Sequence, residues 1–119
     1  MGRIDSLSEF KDIVHLATKF LICGTLKAKL PYDKVYSVRE KNRRLGLGLM
    51  GMHEWLIKKG SKYEVTEELH KWLGVYEGES NKVSKETADK MNISKPVANR
   101  AIAPTGSIEI GRASCRERV

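Results

Sequence analysis

Apolar residues recur at helical spacing in two long stretches of the chain. Between them lies a short block that alternates strictly. Phe10, Ile13, Val14, Ala17, Phe20 and Leu21 follow a 3.6-residue period behind Ser6-Leu7-Ser8-Glu9, which has the form of a capping box. This predicts a helix that ends at Gly24 or runs on to about Leu30, ahead of Pro31. Residues 31–41 show no period and read as a connector. Leu45-Gly46-Leu47-Gly48-Leu49 alternates with period two, which predicts a strand with leucines on one face and glycines on the other. Glycine inside a strand marks close approach by another backbone or a ligand. Residues 52–59 predict a helix capped by Gly60. Leu69, Trp72, Leu73, Tyr76, Val83, Ala88 and Met91 predict a long helix, with Thr66 at its N-cap and Asn92 at its C-cap. Gly74 and Gly78 weaken its middle and predict a kink or break near Gly78. Ser94-Lys95-Pro96 then turns the chain into a second strand, Ala101 to Ala103, which Pro104 stops. Helix, strand, helix, helix, strand is an α/β order, but two short strands do not make an independent sheet.

The chemistry concentrates after that second strand. In Pro104-Thr105-Gly106-Ser107, two hydroxyls flank a residue without a Cβ, and successive N–H groups there can form an anion-binding nest. On chemistry alone, a strand followed by a Pro-Gly turn is the simpler reading, and a phosphate cradle is the functional one. Arg100 to Ile108, together with Asn42-Arg43-Arg44-Leu45-Gly46-Leu47-Gly48-Leu49-Met50-Gly51 and the approach Lys95-Pro96-Val97-Ala98, resembles the catalytic (alpha) chain of ribonucleotide reductase. The flavour is that of the adenosylcobalamin-dependent class, and the resemblance covers nearly all of residues 2–108.

The resemblance implies a fragment of the family's ten-stranded α/β barrel, mostly helical with two short strands, over residues 1–108. It implies that Pro104, Thr105, Gly106 and Ser107, flanked by Ala103 and Ile108, bind the phosphates of a ribonucleotide substrate. For the full enzyme it implies radical reduction to 2′-deoxyribonucleotides, with adenosylcobalamin as cofactor and a thioredoxin-like reductant. The family's catalytic Asn-x-Cys-x-Glu motif is absent and would lie upstream of Met1. Cys23 matches no catalytic cysteine, so the fragment is expected to be inactive and to bind no cobalamin alone.

Other motif-like stretches have simpler roles. Gly46, Gly48 and Gly51 satisfy G-x-G-x-x-G, but charged residues precede them where the dinucleotide fingerprint needs an apolar strand. His53-Glu54 starts the zinc motif H-E-x-x-H, which fails at Ile57. The two cysteines, Cys23 and Cys115, have no metal-site spacing, and Cys23 reads as a small buried hydrophobe. His15 reads as a helix-surface residue. The formal net charge is +7. A basic nucleic-acid-binding protein using Lys41, Arg43 and Arg44 with Trp72 or Tyr76 is the alternative from another class, although core packing suits the two aromatics better.

Residues 109–119 crowd Arg112, Arg116 and Arg118 against Glu109 and Glu117, and they lose all apolar period. They can be back-translated as a sequencing adapter and are expected to be a translated artefact. Without them the net charge falls by one. No run reaches the roughly 18 apolar residues of a membrane span, and no secretory signal is visible, so a cytoplasmic protein with no membrane partner is the default.

Overall fold

The structure is a computed structural model, and it describes residues 1–102. Four helices appear in order: α1 (Leu7–Lys27), α2 (Asp33–Asn42), α3 (Met52–Lys58) and α4 (Glu67–Met91). The predicted caps hold at both long helices. Ser6 accepts a bond from Glu9 N at the start of α1, and Thr66 accepts one from Leu69 N at the start of α4. Asn92 closes α4 in the left-handed conformation, with φ of 54°. Gly60, at φ of 73°, follows α3 as expected.

The core forms where α1 lies along α4. Phe10 stacks on Trp72 with centroids 4.9 Å apart, and Trp55 of α3 meets the same indole at 4.8 Å. Val14, Leu56, Leu69 and Tyr76 complete the cluster, with Leu47 and Leu49 packed against it. Phe10 meets Trp72 and, further along, His15 Nδ1 meets Glu79 Oε1 at 2.9 Å, so the two long helices run in the same sense. The connection between them must therefore return along the molecule, and it carries α2 and α3.

Several expectations from the sequence do not hold in the fold. Residues 33–42 form a helix, not a connector, yet α2 buries none of its residues. It is tied down by polar contacts instead: Leu30 N donates to the Tyr36 hydroxyl at 2.8 Å, and Arg39 Nη1 donates to Ala28 O at 2.8 Å. A helix without a buried face leaves no hydrophobic period to read. Cys23 is exposed, not buried. The buried face of α1 is Phe10, Val14, Thr18 and Ile22, which leaves Ile13 and Phe20 exposed. The i, i+4 row that meets α4 is narrower than the apolar stripe in the sequence.

A further correction concerns the strands. Among the described residues there is no strand, only a parallel bridge between Leu47 and Arg100. The leucine side of the alternation does face the core, with Leu45 buried, and Gly46 and Gly48 are exposed. The face was legible, but one isolated pair of extended segments lacks the neighbours that make a sheet.

Helix α4 runs unbroken through Gly74 and Gly78, and a Cβ added at either would meet nothing within 4 Å. Replacing both with alanine should therefore raise stability by about 1–2 kcal/mol in total, read as an increase in the urea midpoint at unchanged slope. A loss of stability would mean that the helix needs flexibility there.

Candidate functional site

The expected phosphate-binding residues Ala103, Pro104, Thr105, Gly106, Ser107 and Ile108 lie outside the described residues, as do residues 109–119. The structure does describe the backbone that leads into them. Val97 N donates to Asn42 O at 3.0 Å, Leu45 N to Ala98 O at 2.7 Å, Leu47 N to Asn99 O at 3.2 Å, and Ala101 N to Leu47 O at 3.2 Å. Residues 42–47 and 97–101 thus run in parallel, upstream of the Ala101–Ala103 stretch expected from sequence. Both segments then leave the pairing in the same direction, one toward α3 and the other toward Pro104.

The glycines make this pairing close. A Cβ on Gly48 would sit 2.8 Å from Ala101 O, whereas one on Gly46 would only touch Ala101 Cβ at 3.6 Å. Gly51 adopts φ of 73° at the N-cap of α3, and a Cβ there would lie 3.2 Å from Gly2 N. The G-x-G-x-x-G spacing therefore serves the protein's own backbone at Gly48 and Gly51.

Sequence reasoning missed a polar clamp on α4. Asn99 and Ser84 are buried, and Asn99 Nδ2 donates to Asn81 Oδ1 at 3.0 Å and to Ser84 Oγ at 3.1 Å. Arg100 Nη1 donates to Asn81 Oδ1 at 2.8 Å, to Ser80 Oγ at 2.8 Å and to Glu77 O at 3.2 Å. Ser80, Asn81 and Ser84 sit at i, i+1 and i+4 on the helix, where serine and asparagine read as ordinary surface polarity. Only the fold brings Asn99 and Arg100 onto them.

Tyr76, one turn before Ser80 on the same row of α4, ties the region down as well, its hydroxyl donating to Leu47 O. Burial pushes its phenol above the ordinary value of 10.0, and the nearby Arg100 guanidinium partly offsets this. A raised folded-state pKa adds stability that is complete below about pH 10 and is lost as pH climbs past it, because the unfolded chain releases the proton first. Alkaline titration of stability should show this loss, and Tyr76→Phe should remove that component. An unchanged alkaline limb in the variant would count against it.

The residues of the nucleic-acid alternative do not form one exposed surface. Trp72 and Tyr76 belong to the core, and Arg43 is buried with φ of 43° and donates from Nε to Ser94 Oγ at 3.2 Å. Lys41 and Arg44 are exposed. No group of three or more His, Cys, Asp or Glu among the described residues is placed to hold a metal ion. No helix among them is long and apolar enough to cross a membrane.

A family profile described as "Ribonucleotide reductase, barrel domain" matches residues 2–95. The chain belongs to the ribonucleotide reductase barrel-domain family. It is 31% identical over 96 residues, 78% of its length, to a Mycobacterium phage D29 protein provisionally named an adenosylcobalamin-dependent ribonucleoside-triphosphate reductase. It is 27% identical over 127 aligned positions, 92% of its length, to the vitamin B12-dependent ribonucleoside-diphosphate reductase of Thermoplasma acidophilum. The chain spans 14% and 16% of these two relatives. No solved structure matches significantly. For a reductase barrel, the parallel pairing of residues 42–47 with 97–101 is the arrangement to expect, since the barrels of α/β proteins are built from parallel strands.

Proposed function

We propose that this chain is part of the catalytic chain of an adenosylcobalamin-dependent ribonucleotide reductase and that residues 103–108 bind the substrate's phosphates. One observation carries the reading: the Leu47–Arg100 bridge is parallel, and Pro104-Thr105-Gly106-Ser107 follows the carboxyl end of one of its two segments. In parallel α/β architectures ligands bind beyond the carboxyl ends of the strands. A glycine between two hydroxyl residues at that place suits a phosphate, through backbone N–H groups and side-chain donors together. The matched family and the names of both relatives support a ribonucleotide as the substrate.

The described residues do not themselves fit adenosylcobalamin. Their groove between α1 and α2, of about 560 Å³, sets Phe20, Leu21, Val35 and Val38 beside Thr25, Arg39, Asn42 and Arg44. A corrin ring with its amide side chains and nucleotide loop is far larger than the drug-sized ligands that a groove of this volume takes. The cofactor and a thioredoxin-like reductant therefore belong to the full enzyme, and no reaction step is assigned to these residues.

The test is long-read sequencing through the source locus, followed by expression of the full chain. The expected result is an Asn-x-Cys-x-Glu motif upstream, an uninterrupted barrel after Ile108 in place of residues 109–119, and cobalamin-dependent ribonucleotide reduction. A gene that starts at Met1 and ends at Val119 would overturn the reading.

A further inference from the structure

We infer that Asn81 is a positioning residue for the phosphate loop, acting through Asn99 and Arg100. The inference rests on the phosphate-binding role proposed for residues 103–108.

The geometry is that of a two-point clamp. Asn81 Oδ1 takes one bond from Asn99 and one from Arg100, two consecutive residues whose side chains would point to opposite sides of a regular strand. Arginine has donors only, so the Arg100 bond settles that the oxygen of the Asn81 amide faces the segment. The serines complete the arrangement. Ser80 Oγ donates to Glu77 O at 3.0 Å while accepting from Arg100, and Ser84 Oγ donates to Asn81 O at 3.0 Å while accepting from Asn99. Each hydroxyl proton is thus committed to the helix, which leaves a lone pair aimed at the incoming segment. Both amide protons of Asn99 are used.

Such a network exceeds what holding an edge requires. Backbone pairing to residues 42–47 fixes this segment on one side, and the clamp fixes it to a rigid helix on the other. Three residues separate Arg100 from Pro104, so four chain steps of about 3.5 Å put the start of the loop at most about 14 Å from the clamp. A phosphate cradle works only when its donors are held in place by supporting contacts. Asn81 itself is exposed and fills no core space. Its truncation opens no cavity, but it leaves one amide proton of the buried Asn99 unpaired, so binding is read well below the melting temperature, where the variant is still folded.

The test uses the full-length reductase and direct binding of cytidine di- and triphosphate, measured by equilibrium dialysis beside thermal melting. Asn81→Ala should weaken nucleotide binding about tenfold or more, the change expected for the loss of about one charge-assisted hydrogen bond to phosphate. The melting temperature should fall by only a few degrees, too little to unfold the protein at the temperature of the binding measurement. Asn81→Asp, which keeps both acceptor bonds, should restore binding to near the starting value. The steady-state signature is a raised KM with kcat retained.

Should Asn81→Ala melt and bind as the parent does while Ser107→Ala and Gly106→Val lose binding, the clamp inference is overturned and the phosphate loop stands. Should the loop variants also bind normally, the phosphate reading fails, and the clamp's proposed role with it. An Asn81→Ala that lowers the melting temperature and binding together, with Asn81→Asp failing to restore binding, reassigns the residue to stability alone.

Discussion

Trp72→Ala is expected to cost about 3–5 kcal/mol, a large share of the roughly 5–15 kcal/mol that stabilises a folded domain. Trp72 is 3% exposed and touches aromatic rings from two other elements, Phe10 of α1 and Trp55 of α3. Its removal leaves a cavity that neither neighbour can fill, because each is itself fixed in the cluster with Val14, Leu56 and Leu69. The lost area and the lost ring contacts add to the cavity term. Urea unfolding followed by circular dichroism reads the change. Phe20→Ala is the matched comparison: it removes an equally apolar ring that is 75% exposed, and it should change stability by less than about 0.5 kcal/mol. Equal losses from the two variants would mean that α1 presents a different face to α4.

The second large effect falls on the backbone pairing. Gly48→Ala should cost about 2–3 kcal/mol, because its Cβ would meet Ala101 O at 2.8 Å and a carbonyl in a hydrogen-bonded segment cannot swing aside cheaply. Hydrogen exchange offers a local readout. The amides of Leu45, Leu47 and Ala101, all bonded across the pairing, should exchange faster in the variant, while those in the middle of α4 keep their protection. Gly46→Ala, whose Cβ would make ordinary contact with Ala101 Cβ at 3.6 Å, should leave these amides as they are. If both alanines behave alike, the glycine at 48 is not there for close approach.

Much of this molecule was legible before folding. The caps at Ser6, Thr66 and Asn92 are local hydrogen-bond and φ/ψ preferences that need no tertiary partner, and they sit where expected. The alternation of residues 45–49 correctly separated core-facing leucines from exposed glycines, because side-chain direction in extended chain has period two whether or not a ladder forms. The resemblance read from residues 42–51 pointed to the family, which the match over residues 2–95 now shows; residues 100–108 lie beyond that match.

Tertiary structure decided the rest. Which row of α1 is buried depends on the angle at which α4 lies across it, so Phe20 and Cys23 ended outside although their apolar character suggested otherwise. Helix α2 is held by Tyr36 and Arg39 reaching back to residues 28–30, contacts that exist only once the connection has folded back. The clamp on Asn81 joins residues 18 and 19 positions apart in the chain through side chains of no local signature. Local preference fixes where elements begin and end, because its partners are a few residues away. Burial and long-range polar bonds are settled only when the whole chain chooses its neighbours.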